Sequence, residues 1–88
     1  MTLDELRQEI DKIDSEMIRL FSARMDISAK IAEYKKENSL PVYDPMRESE
    51  KLENIASRLP EEKRKYGKRL YSLIFELSRE EQRKLVEQ

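Results

Sequence analysis

The side chains able to do chemistry in this chain are cations and neutral hydrogen-bonding groups, several of them placed where apolar residues belong. Over the first 35 residues, apolar side chains recur at Leu3, Leu6, Ile10, Ile13, Met17, Leu20, Ile27, Ile31 and Tyr34, in steps of three and four. That is the seam of a long helix packed against another helix. Position 24 continues the register but carries an arginine. Withdrawing an unpaired cation from water costs several kcal/mol, so Arg24 demands an anion, from the protein or from a ligand. Lys35 lies eleven residues on, which returns to within about 20° of the same helix face, roughly 16 Å further along the axis. Two cations so placed could flank a small polyanion; alternatively, Lys35 is one of the surface lysines of Lys35-Lys36-Glu37.

Three further groups accompany this pair. Leu70, Ile74, Ser78 and Gln82 follow i, i+4 spacing, so an apolar row turns polar towards its end. Ser78 and Gln82 can line a pocket with uncharged groups, although solvated helix-end residues are the simpler reading of them alone. Asp44, Arg47 and Glu48 cluster around Pro45. There Asp44 suits a helix N-cap, and Glu48 suits the positive end of the helix dipole. Arg7 precedes Arg24 by about 25 Å of helix, too far to meet the same ligand within one chain. In an antiparallel pairing of long helices it could approach Arg24 and Lys35 of another chain; alone, it reads as an exposed arginine balanced by Glu9 and Asp11. Together these residues equip a site for an anionic ligand with a hydroxyl group, not for a metal ion or nucleic acid.

The elements that must position them are helical. Thr2 with Glu5 predicts a capping box, and no Gly or Pro interrupts the chain before Asn38. The first helix, over about 3–38, is then roughly 50 Å long, too long for a compact domain of this size, and its protruding seam implies a partner. Asp44-Pro45 opens a second helix over about 45–58, with a weaker stripe of Met46, Leu52, Ile55, Ala56 and Leu59. Pro60-Glu61-Glu62 opens a third over about 61–86, carrying Tyr66, Leu70, Leu73, Ile74, Phe75 and Leu77. The one glycine, Gly67, predicts a loosened first turn or two. The expected fold is all-α, a single domain over 1–88.

Composition narrows the function. Apolar residues make up 38% and charged residues 42%, so a single copy is short of core and pairing of helices between chains is the natural remedy. With 18 basic against 19 acidic residues, no global field draws in nucleic acid or an anionic membrane. No apolar run reaches spanning length and no signal-peptide pattern opens the chain, so a cytoplasmic protein is expected. Histidine and cysteine are absent, which removes the usual nucleophiles, the usual neutral-pH base and most transition-metal sites. An enzyme built from this chain should need little proton transfer and no metal or cofactor.

The ordered set Leu6-Arg7-x-x-Ile10-Asp11-x-Ile13-Asp14, Arg24, Lys35, Pro41-Val42-x-Asp44-x-x-Arg47-Glu48 and Ser78-x-x-x-Gln82 resembles the all-helical (AroQ-type) chorismate mutases from about residue 3 to residue 84. The resemblance implies an intertwined homodimer of three helices per chain, with two equivalent active sites. Arg7 would come from the partner subunit and bind one carboxylate of chorismate, and Arg24 would bind the other. Lys35 and Gln82 would hydrogen-bond the ether oxygen. Glu48 would hold the ring hydroxyl, helped by the backbone near Asp44, while Arg47 orders the site and Ser78 contacts a carboxylate.

The reaction so implied, chorismate to prephenate in aromatic amino-acid biosynthesis, is a Claisen rearrangement. It needs no nucleophile, metal or cofactor. It needs a flexible dianion held in a compact conformer and donors where the ether oxygen gains negative charge. An isochorismate-pyruvate lyase would share the helices and the cationic pair, but is expected to depart from the Asp44, Arg47, Glu48 cluster. A non-catalytic helical dimerisation module would leave Arg24 unexplained. A start at Met with a cap at residue 2 favours a free-standing mutase over a domain of a larger enzyme.

Overall fold

The computed structural model describes residues 1–87. Their fold is three α-helices, α1 (Leu3–Glu37), α2 (Pro45–Ser57) and α3 (Arg64–Val86), with a 3-10 turn at Glu61–Lys63 leading into α3. Each boundary has a local cause. At the start of α1, the Thr2 hydroxyl accepts the Glu5 N–H at 3.1 Å and the Glu5 carboxylate accepts the Thr2 N–H at 3.3 Å, the reciprocal pair of a capping box. Asp44 accepts the Arg47 N–H at 3.0 Å at the start of α2, and Pro45 takes the first helical position.

The end of α1 shapes the site. Ser39 turns into the left-handed region (φ 55°), which lets the Leu40 N–H reach the Lys35 carbonyl at 2.8 Å and the Ser39 N–H reach that of Lys36 at 3.4 Å. This Schellman turn satisfies carbonyls that a helix end leaves unpaired. The Lys35 side chain then binds the connector directly, its Nζ donating to the Val42 carbonyl at 2.7 Å. Lys35 thus holds the connector through both its backbone and its ammonium.

α3 packs on both other helices. In the second half of α1 the residues turned inward are Ser28 and Ala32, both buried; they face the part of α3 that carries the buried Phe75, Ser78 and Gln82. Small side chains at such a crossing let two helix axes approach closely. The seam residues Ile27, Ile31 and Tyr34 lie to one side of this row and remain exposed. Arg24 therefore sits on the border between the row packed within the chain and the open apolar stripe. Gly67 has a packing reason: a Cβ there would lie 2.3 Å from Leu59 Cδ1, so the missing side chain admits the Leu59 side chain from the connector just beyond α2. The first turn of the expected third helix is the 3-10 turn at Glu61–Lys63, and α3 runs from Arg64 onward.

The chain buries little. Its buried apolar residues are Ala32, Ile55, Ala56 and Phe75, and every residue from Met1 to Ala23 is exposed. The molecule measures 54 × 26 × 14 Å with a radius of gyration of 16.2 Å, against about 12 Å for a compact chain of this length. Its accessible surface is 7222 Å², whereas a compact protein of this mass exposes roughly 5,500 Å².

Because a non-glycine residue in the left-handed region costs about 1 kcal/mol, Ser39→Gly is expected to stabilise the chain by roughly that amount in urea unfolding. An unchanged midpoint would show that the turn at Ser39 holds no such strain.

Candidate active site

Arg24, Lys35, Asp44, Arg47, Glu48, Ser78 and Gln82 all line one cavity of about 560 Å³ between the three helices, a volume suited to a small molecule. α1 contributes Arg24 and Lys35, the first turn of α2 contributes Arg47 and Glu48 behind its cap Asp44, and the last turns of α3 contribute Ser78 and Gln82. Arg7 is not there. It projects from the exposed first half of α1, as the length of helix between it and Arg24 requires.

The polar groups form a connected set. Arg24 Nη1 donates to the Ser78 hydroxyl at 3.0 Å, and its guanidinium lies over the Phe75 ring, 5.5 Å from the centroid. The Ser78 hydroxyl in turn points to Met25 Sδ at 3.9 Å, a weak acceptor. Lys35 Nζ donates to the Gln82 carboxamide oxygen at 3.3 Å as well as to Val42. The Gln82 amide donates to the Ser28 hydroxyl at 2.9 Å. Ser78 and Gln82, at 8% and 7% exposure, are buried and not the solvated helix-end residues of the simpler reading.

Charge is the decisive feature. Arg24 and Lys35 are half-buried, yet their partners are a hydroxyl, an aromatic face, an amide oxygen and a backbone carbonyl. Among the described residues neither pairs with a carboxylate. The two carboxylates that line the cavity are committed elsewhere: Asp44 to the cap of α2 and Glu48 to an ion pair with Arg79. With Arg47, Lys51 and Arg79 also on the wall, five cations face two carboxylates. The described residues do not supply the anion that Arg24 demands.

A family model described as chorismate mutase type II matches residues 6–83. The chain belongs to that family. The match runs past every site residue named above, from Arg7 to Gln82. Among similar proteins, the bifunctional chorismate mutase/prephenate dehydratase of Aquifex aeolicus is 45% identical over 53 residues, which is 60% of this chain and 15% of that protein. The T-protein of Haemophilus influenzae is 41% identical over 61 residues, covering 69% of this chain and 16% of the relative. The chorismate mutase of Methanocaldococcus jannaschii is 26% identical over 88 residues, covering 98% of this chain and 89% of the relative. This chain therefore spans about one sixth of the first two and most of the third. No solved structure matches at a significant level.

Ser28, Lys51, Phe75 and Arg79 belong to the site but escape a reading of sequence alone. Phase offered a signal for two of them, since Phe75, Arg79 and Gln82 are spaced i, i+4, i+7 on one face of α3. The Arg79–Glu48 pair joins residues 31 apart on different helices, which no local spacing reveals. Among the described residues no group of His, Cys, Asp and Glu comes together to hold a metal ion, and no helix is long and apolar enough to cross a membrane.

Replacing either unpaired cation should separate function from stability. Arg24→Met and Lys35→Met are each expected to reduce turnover of an anionic substrate at least about 100-fold. The same variants should leave the unfolding free energy within about 1 kcal/mol of the parent or raise it, because a desolvated charge is removed. Collapse of the fold in both, with activity per folded molecule retained, would remove them from the site.

Proposed function

We propose that this chain catalyses the rearrangement of chorismate to prephenate, as a homodimer whose two sites are each completed by Arg7 of the partner subunit. The observation that carries the reading is the pair of half-buried cations, Arg24 and Lys35, held by neutral groups alone around a cavity of small-molecule size. A dianion answers that charge, and family membership supports its identity.

The geometry suits the chemistry. Arg24 would bind one ligand carboxylate, and the Ser78 hydroxyl, resting on a sulfur, can turn to the same group at little cost. Lys35 has three N–H donors, two of them used by Val42 and Gln82. The Gln82 amide has two, one of them used by Ser28. One donor on each is left for an ether oxygen that gains negative charge as its C–O bond breaks. Both are already fixed in place, so little reorganisation accompanies the reaction. Glu48 would take the ring hydroxyl, and Arg47, beside the Asp44 cap, would help order that end. The enzyme's remaining task is to hold the substrate in a compact conformer, which is orientation by binding. No group on the protein needs to gain or lose a proton.

Dimerisation rests on the exposed surface. The excess over a compact protein is roughly 1,700 Å² per chain, the amount buried by one partner in a large obligate interface. It includes the α1 seam and the α3 stripe of Tyr66, Leu70, Leu73 and Leu77. A second copy laid antiparallel on that seam would bring its Arg7 towards the cavity, supplying a cation that the chain cannot bring there itself.

Incubating the purified protein with chorismate, and separately with isochorismate, tests the activity. Prephenate from chorismate is expected. Pyruvate release from isochorismate alone would mark a lyase, and no reaction by a folded dimer would overturn both. Mixing Arg7→Ala with Arg24→Ala subunits tests the sharing of sites. Each variant should be nearly inactive alone, whereas random reassociation should restore about a quarter of the wild-type sites, since each heterodimer has one complete site. Heterodimers that form without recovering activity would refute a site shared between subunits.

A further inference from the structure

We infer that Arg79 is a positioning residue for Glu48, and through it for the hydroxyl end of the ligand; the inference rests on the mutase reading above. Three observations meet at Arg79. Its Nη1 donates to Glu48 Oε1 across the α2–α3 gap. The two side chains are only 23% and 22% exposed, so water screens the pair less than it does the ion pairs on the outer helix faces. The guanidinium also lies over the Tyr43 ring, 4.9 Å from its centroid, which fixes its position from a second side.

The pair answers a problem set by the site itself. A carboxylate in a pocket for a dianion faces like-charge repulsion, so a free Glu48 would oppose the ligand it is meant to orient. Arg79 neutralises that charge while engaging only one carboxylate oxygen, and the other remains to accept a hydroxyl. It also limits the rotamers of a flexible side chain that would otherwise be ordered only on binding. Tyr43 directly follows Val42, the residue held by Lys35. Arg79 therefore ties together the connector, α2 and α3 at the wall of the cavity. Although Arg79 is part of the cavity wall, its role in this inference is exerted through Glu48.

The test is a double-mutant cycle in steady-state kinetics with chorismate, using wild type, Arg79→Met, Arg79→Lys, Glu48→Gln and the double variant Arg79→Met/Glu48→Gln, with thermal unfolding of each. The hydroxyl sits on the ring carbon next to the breaking C–O bond but exchanges no bond itself, so the contact is made about equally in ground and transition states. Arg79→Met should therefore raise KM about tenfold with kcat within about threefold of wild type. Arg79→Lys, which keeps the charge, should recover part of that loss. In the Glu48→Gln background, Arg79→Met should add less than about twofold, because the carboxylate it positions is gone. A wild-type KM in Arg79→Met, or a cost that multiplies in full onto that of Glu48→Gln, would overturn the inference. If Arg79→Met does not fold, Arg79→Gln completes the same cycle. Failure of the mutase reading would look different, since wild type itself would then convert no chorismate.

Discussion

Two cations withdrawn from water without a counter-ion among the described residues are the constraint around which this molecule is arranged. Arg24 and Lys35 are half-buried, and each is steadied by dipoles alone: a hydroxyl and a ring for Arg24, an amide and a peptide carbonyl for Lys35. Dipoles offset only part of the desolvation of a full charge. In the proposed function the remainder is binding energy held for an anion. Much of the local structure serves to keep the two in place: the Schellman turn that brings Val42 within reach of Lys35, the Ser28–Ala32 row that draws α3 close, and the Ser28 hydroxyl that secures the Gln82 amide.

The thin core is the other side of the same arrangement. One helix spends more than half its length outside the chain's own packing, and the stripe it leaves open runs directly beside Arg24. A second copy covering that stripe would do more than complete the core. It would exclude water from the Arg24 side of the cavity, and the attraction between a cation and a bound carboxylate strengthens as the effective dielectric falls. In the proposed dimer, stability and ligand affinity would thus draw on a single interface.

How much of this is legible in sequence varies with the kind of signal. Caps and periodicity are local, so Thr2 with Glu5, Asp44 with Pro45 and the uninterrupted run to Asn38 lead directly to the three helices. The eleven-residue step from Arg24 to Lys35 and the four-residue step from Ser78 to Gln82 likewise place each pair on one face. Phase within the chain is harder. The seam marks an apolar stripe without saying whether the same chain or another covers it, and here the chain packs the adjoining Ser28–Ala32 row instead. Burial of polar residues is harder still, because Ser78 and Gln82 look identical in sequence whether solvated or enclosed. Gly67 reads as a local weakness until Leu59, outside α3, is seen against it. Arg79 and Glu48 are partners only in three dimensions.

The choice of neutral partners for the cations has a chemical logic that the carboxylates make visible by contrast. A carboxylate beside Lys35 would fix the ammonium as firmly as Gln82 does, but would also cancel the charge that a developing oxyanion needs. An amide oxygen and a peptide carbonyl fix position and leave the charge available. At Glu48 the requirement reverses. A hydroxyl needs an acceptor, and a carboxylate is the strongest one available, but its charge would repel a dianion; there the guanidinium of Arg79 cancels it. The cavity thus combines two kinds of electrostatic control. Uncancelled cations held by dipoles and a cancelled carboxylate line the same cavity. In the proposed mutase, a ligand that sets its carboxylates and ether oxygen against the cations and its hydroxyl against Glu48 meets that pattern in only one orientation, which is the positioning that an uncatalysed rearrangement lacks.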